Sequence, residues 1–187
     1  LLIAFFVLHE RSYDSYNTAK ERIFNIVLNF KIGGQEFTDA TSPVPMGPVM
    51  EREFPEIEAF LRMKTGWAKS ISYNNQNFYL DKILEADSTF FKFFSIPVLK
   101  GDVRNLLNAP MKVVLTESMA RRIFGKEDPL DKIIKLGKDT ALYTVTGVMA
   151  DVPTNSHFKA DIIISFISNP NSNSAEWSNN ELSTYFL

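Results

Sequence analysis

Residues 113–166 read VVLTESMARRIFGKEDPLDKIIKLGKDTALYTVTGVMADVPTNSHFKADIIISF. The order is strand, helix, glycine stop, turn, strand, strand, turn, strand. Val113, Val114 and Leu115 form an apolar, largely β-branched run that ends at Thr116. A threonine hydroxyl there caps a following helix, and Glu117 suits its positive end. Met119, Ala120, Ile123 and Phe124 fall on one helical face, with Arg121 and Arg122 near the negative end. Gly125 supplies the left-handed stop. Lys132 to Leu136 and Tyr143 to Met149 are strand-like, Asp151 to Ser156 is dense turn chemistry, and Ala160 to Phe166 closes with an apolar strand.

Outward from this stretch, the chain is a mixture of short strands and short helices. Ile23 to Ile32 has Ile26, Leu28, Phe30 and Ile32 on one face and predicts a half-buried strand. Gly33-Gly34 is a turn, and Gln35 to Thr41 returns. Asp14 to Arg22 predicts a short helix capped by Asp14. Pro45 opens a helix from Met46 to Phe54, with Met50 and Phe54 on one buried face, and Pro55 ends it. Ile57 to Lys64 is a strand with Ile57, Ala59, Leu61 and Met63 on alternate positions. Ser70–Tyr73 and Phe78–Ala86 flank the turn at Asn74 to Asn77 and predict a hairpin. Asp87 caps a helix from Ser88 to Phe94 that carries Phe90, Phe91, Phe93 and Phe94. Neighbours on a helix point about 100° apart, so four phenylalanines cannot share one face. The helix is wedged between two layers, or it offers an exposed apolar patch to a partner.

The 187 residues carry a net charge of −2, so no global basic field points to nucleic acid. There is no cysteine, which excludes a disulfide framework, a thiol nucleophile and a cysteine zinc site. Gly125-Lys126 and Gly137-Lys138 lack the remaining residues of a phosphate-binding loop and read as turns. His157 has Asp151 and Asp161 nearby in sequence, a conceivable ligand trio, but Asp151 and Ser156 serve a tight turn equally well. Ser156-His157 lacks a nucleophile elbow. No catalytic, cofactor-binding or metal-binding residue is assigned, and no cofactor is expected.

Leu1 to Leu8 (LLIAFFVL) is apolar and uncharged. A membrane span needs roughly twenty residues. By composition it is either a buried element of a soluble domain or the last two turns of a transmembrane helix.

The series Thr116-Glu117, Ala120, Phe124-Gly125, Asp128-Pro129-Leu130, Lys132, Tyr143, Val145, Gly147-Val148, Asp151, Pro153 and Ser156-His157-Phe158 resembles the extracytoplasmic core domain of MacB/FtsX-type ABC transporter permeases. Asp131 departs from it, since the family usually has glycine there. Further matches are Glu10, Ser12-Tyr13-Asp14, Glu21 to Phe24, Phe54 to Glu58, Ala86-Asp87, Phe90-Phe91, Phe94 to Ile96, Leu99 and Gly101-Asp102. The ordered series is specific; no single motif is.

The resemblance implies an α+β, two-lobed domain. One βαβ-type lobe comes from about residues 23–65 and 160–187, and an inserted, mainly β lobe from about 66–159. Residues 1–9 become the end of a truncated membrane helix, with 10–187 the periplasmic core domain. The family's domain continues past this point with a helix and at least one strand. The implied role is non-catalytic: relaying ATP-driven motion of membrane helices to periplasmic partners or substrate at the bacterial inner membrane. A separate ATPase subunit or domain, a periplasmic adaptor or lipoprotein, and a homodimeric or pseudo-dimeric permease are the implied partners. The alternative is the extracytoplasmic ligand-sensing domain of a membrane signalling receptor.

Overall fold

In a computed structural model, residues 13–66, 68–137 and 141–187 are described. The octapeptide Leu1–Leu8 and the membrane-helix reading placed on it lie outside these residues, as do His9, Glu10, Ser12 and Lys138. The strands are β1 (Phe24–Asn25), β2 (Leu28–Ile32), β3 (Gln35–Asp39) and β4 (Ser42–Pro43), followed by helix α1 (Met46–Glu53). Next come β5 (Phe60–Thr65), β6 (Ser70–Tyr73), β7 (Gln76–Tyr79), β8 (Ile83–Ala86), helix α2 (Phe90–Phe93) and β9 (Val98–Lys100). Then follow β10 (Lys112–Thr116), helix α3 (Glu117–Phe124), β11 (Ile133–Leu136), β12 (Leu142–Met149), β13 (Ile162–Ser165) and β14 (Asn180–Phe186). The class is α+β, as the sequence implies.

The organising stretch folds as its residues dictate. The Thr116 hydroxyl accepts the Met119 amide at 3.3 Å, and Glu117 pairs with Arg121 one turn on at 2.9 Å. Met119, Ala120, Ile123 and Phe124 are buried. Gly125 takes φ 61° and donates its amide to the Arg121 carbonyl. Asp131, where the family usually has glycine, takes the left-handed φ of 61°. Aspartate tolerates this conformation better than most residues.

Most strands join one sheet in the order β1-β14-β5-β8-β13-β10-β12-β11-β6-β7. Residues 23–65 and 160–187 supply one end of this order and residues 66–159 the other; β8 sits among strands of the first group. In the middle, β13 runs parallel to β8 and antiparallel to β10, which runs parallel to β12. Both faces are covered there. Leu84, Val114 and Ile163 face the phenylalanines Phe90, Phe93, Phe94 and Phe158. Ile83, Val113, Leu115, Ile162 and Ile164 face the buried side of α3. Burying each such side chain contributes about 1.5–3 kcal/mol. The Phe-rich helix is shorter than expected, Phe90–Phe93 with Phe94 extended, and its phenylalanines do not split between two layers. Phe90, Phe93 and Phe94 are buried in one cluster on one face of the sheet, with Phe91 packed against it.

A buried ion pair ties the α1 end of the sheet together. Arg62 Nε and Nη2 donate to the two Asp87 carboxylate oxygens at 2.9 Å each. Its Nη1 donates to the carbonyls of Val44 and Ser172. Its guanidinium lies 4.7 Å from the Phe166 ring centre. Every nitrogen of the guanidinium thus has an acceptor, as a tolerated buried charge requires.

Several expectations are corrected. Asp87 does not cap α2 with its side chain, because that carboxylate is held by Arg62. The hairpin partner of β6 is β7 alone; β8 leaves to pair with β5 and β13, because its Ile83 and Leu84 are buried in the middle of the sheet. Residues 23–32 are two strands, β1 on β14 and β2 on β3. The second pair is a separate two-stranded sheet, and β2 is exposed rather than half-buried. Phe54 is exposed, because α1 ends before it and the chain turns extended. Asp14 caps no helix: it has φ 53°, and the segment after it makes turns and a single 3₁₀ turn at Lys20–Arg22.

Candidate functional site

The residues just before β1 are fastened to the body at several points. Asp14 is the centre. Its Oδ2 lies 2.8 Å from His157 Nδ1, and its Oδ1 accepts the His157 amide at 3.2 Å. The Asp14 amide donates to the Asn155 carbonyl. The left-handed backbone at Asp14 turns its carboxylate and its amide onto the same loop. Dense turn chemistry between Asp151 and Ser156 presents that loop, as the sequence indicates.

His157 is engaged at both ring nitrogens. Nε2 lies 3.1 Å from the Tyr185 hydroxyl on β14. Burial, and secondarily the Asp14 carboxylate, push the Tyr185 phenol up to about 12. Its proton therefore stays in place at neutral pH. Phe94, Phe158 and Tyr185 rings surround the imidazole at 5.1–5.7 Å between centres. Next to this, the Tyr16 and Ser156 hydroxyls meet at 2.9 Å. Burial pushes the Tyr16 phenol up; the bond to Ser156 opposes that shift and the Asp14 charge adds to it.

Further fastenings follow along the segment. Thr18 donates its amide to Ser95 Oγ at 3.1 Å, and Ser95 Oγ donates to Asn17 Oδ1 at 3.1 Å. Arg22 bonds Glu58 at 2.5 Å, and Lys92 bonds the other oxygen of that carboxylate at 3.2 Å. These two cations hold the Glu58 carboxyl below its ordinary range. β1 then pairs with β14, Phe24 opposite Phe186 and Asn25 opposite Tyr185. Asp14, Asn17, Lys20, Ile23, Asn25, Phe94, His157 and Tyr185 line one crevice of about 300 Å³. Its geometry is that of a rivet: the first described residues are bound to the sheet edge and to the Phe-rich layer together.

The residues weighed for chemistry are scattered by the fold. His157 is on Asp14 and Tyr185. Asp151 accepts the Ser118 amide at 3.1 Å and its hydroxyl at 2.5 Å. Asp161 accepts the amides of Asp81 and Lys82 at 2.7 and 3.0 Å. Asp151 and Asp161 share a cleft of about 490 Å³ with Lys82, Arg122 and Lys159, but His157 does not line it. Among the described residues no three such groups come together to hold a metal ion. Gly125 and Gly137 are turn glycines with positive φ. Asp14 and Tyr185 are what the sequence reading missed as partners of His157. The SHF and SYD motifs named both halves of the contact, but 143 residues separate Asp14 from His157, and spacing carries no sign of their meeting.

The family model for the MacB-like periplasmic core domain matches residues 1–185. No curated protein matches the chain. Among solved structures, a domain assigned to a permease from Porphyromonas gingivalis is similar, with TM-score 0.78 and 22% identity, over 91% of this chain and 74% of that one. The periplasmic region of MacB from Actinobacillus actinomycetemcomitans gives TM-score 0.61 and 14% identity, over 94% of this chain and 76% of that one. The extracellular domain of the noncanonic ABC-type transporter YknZ from Gram-positive bacteria gives 0.51 and 16%, over 70% of this chain and 65% of that one. At these identities the likeness is one of fold.

Proposed function

The chain belongs to the MacB-like periplasmic core domain family, and from that premise we propose that it is the mechanical relay of an ABC permease. It makes and breaks no covalent bond. It faces the periplasm from the bacterial inner membrane and turns the ATP-driven motion of membrane helices into displacement of a rigid body. A separate ATPase subunit or domain supplies the energy, and an adaptor, a lipoprotein or the substrate receives the movement. The permease works as a homodimer or pseudo-dimer. Residues 23–65 and 160–187 form one lobe and residues 66–159 the inserted one; the strand order supports this division except at β8, which lies between β5 and β13. Among the described residues no helix is long and apolar enough to cross a membrane; the membrane attachment is the apolar Leu1–Leu8.

One observation carries this reading. A relay needs the segment leaving the membrane to move with the body, and residues 14–25 are bonded to it through Asp14, Tyr16, Thr18, Arg22 and β1. A loose linker would absorb the stroke. The test is energy transfer from a donor at Tyr79→Cys, on the far edge of the sheet, to acceptor lipids around the full permease with its ATPase. Transfer is expected to change between nucleotide-free and ATP-bound states. Asp14→Ala with His157→Ala is expected to lose most of that change while ATP hydrolysis continues. An unchanged signal in the native permease overturns the relay.

A further inference from the structure

The β2–β3 hairpin has an apolar face that the described residues leave largely uncovered. Residues opposite one another in an antiparallel pair share a face. Phe30 stands opposite Phe37, and Ile32 opposite Gln35 at the tip. The two phenylalanine rings stack at 5.7 Å. Yet Phe30, Ile32 and Phe37 are 41%, 63% and 43% exposed, and the hairpin pairs with no other strand among those described. The other face is polar: Thr38 bonds Asn29, and Lys31 pairs with Glu36. A two-stranded hairpin by itself is marginal in water. Gly33 and Gly34, both at positive φ, make the tight turn and leave an uncharged tip. The only charge on the apolar face, Asp39, sits at the root opposite Leu28.

Its position says what covers it. Asn25, in β1 and three residues before the hairpin's root at Leu28, lines the same crevice as Asp14. The chain therefore enters the described structure beside the hairpin. The step from Leu8 to Tyr13 spans at most about 18 Å of extended chain. Each hairpin strand is five residues, about 17 Å long. The two lengths match, so a hairpin directed along the entering chain meets the surface that the uncharged Leu1–Leu8 enters. Phe24 and Val27, also exposed, extend the apolar strip back toward the root.

We propose that the β2–β3 hairpin dips its Phe30–Ile32–Phe37 face into the outer leaflet of the membrane that anchors the chain. This rests on the membrane-anchored reading of Leu1–Leu8. The hairpin is a second footing, set beside the rivet at Asp14, and it fixes the tilt of the body over the bilayer. Aromatic and aliphatic side chains gain by entering the interfacial region. Because Lys31 and Glu36 neutralise each other, the contact does not select anionic lipid.

The test uses the full permease in lipid nanodiscs, with an environment-sensitive fluorophore on Ile32→Cys. This chain has no cysteine of its own, and labelling elsewhere in the permease is subtracted with the unsubstituted protein. The label at position 32 is expected to emit further to the blue than one on Tyr79→Cys. It is expected to lose intensity when spin-labelled lipid is included, equally in phosphatidylcholine and in mixtures with phosphatidylglycerol. A label on Phe6→Cys reports the anchor separately. Quenching at position 6 with a solvent-like signal at position 32 overturns the hairpin's role and leaves the anchor standing. A blue shift at position 32 without quenching by lipid overturns it in favour of a protein, a second copy or a partner, on that face. No quenching at position 6 removes the anchor and the proposal with it.

Discussion

Strands β13 and β2 lead opposite lives. β13, Ile162–Ser165, has no polar alternation and is buried at every position. β2, Leu28–Ile32, alternates apolar and polar residues as a half-buried strand should, and most of it is exposed. The difference lies in the neighbours. β13 has β8 and β10 at its sides, the phenylalanine layer on one face and α3 on the other. A strand covered on both faces reads as a continuous apolar run. Among the described residues β2 has one neighbouring strand, and its apolar face meets no layer of the fold. Alternation tells which face seeks cover; it does not supply the cover.

The contrast is sharpest for ion pairs. Arg62 and Asp87 have side chains 7% and 10% exposed, while Lys31 and Glu36 are 63% and 84% exposed. Arg62→Ala strands the Asp87 carboxylate among buried groups and is expected to cost about 3–5 kcal/mol. Lys31→Ala, removing a screened surface pair, is expected to leave stability unchanged within error. Denaturant unfolding of the two variants measures both; similar losses would break the comparison.

Isoleucines give the next test. Ile163 is fully buried in β13, and Ile163→Ala is expected to cost about 2–5 kcal/mol. Ile32→Ala on the hairpin is expected to fall within about 0.5 kcal/mol in detergent-free buffer. A large loss at Ile32 there would mean that the hairpin is packed by protein.

Tyr185 marks the border between the two regions, and its effect is confined to alkaline pH. Its phenol is raised from 10.0 to about 12 in the folded chain. The neutral form is thus favoured by folding, so its contribution is full below pH 10 and is lost as pH rises through 12. The loss is on the order of 3 kcal/mol. Tyr185→Phe is expected to make the alkaline fall in unfolding free energy shallower. Tyr16 and Tyr143, also raised mainly by burial, keep part of the fall. An unaltered slope would mean that the phenol is not buried as described.

Much of the fold was legible because its signals are local. Thr116 as a cap, Gly125 as a stop, the paired glycines at 33–34 and the apolar runs of β10 and β13 each act over a few residues. The Phe-rich helix was legible as an element, but not that Phe94 lies past its end and joins the same cluster as the other three phenylalanines. The misreadings share one cause. Asp14 and Asp87 sit where caps belong, but each carboxylate found a stronger cationic or imidazole partner far along the chain. Phe78 to Ala86 looked like one long strand, although the chain breaks at Leu80–Lys82 to reach the sheet's middle. The fastening site was half visible: His157 and Asp14 stand in motifs, but their contact does not.

From its sequence alone the protein determined its class, most of its local elements and the family that the ordered motifs resemble. Those depend on backbone preference and on side-chain period, which act between near neighbours. Tertiary structure decided which apolar faces are covered, that Arg62 closes on Asp87, and that His157 holds the first described residues to the body. These depend on groups brought together from distant parts of the chain, where burial strengthens a charged or hydrogen-bonded contact that water would otherwise dissolve.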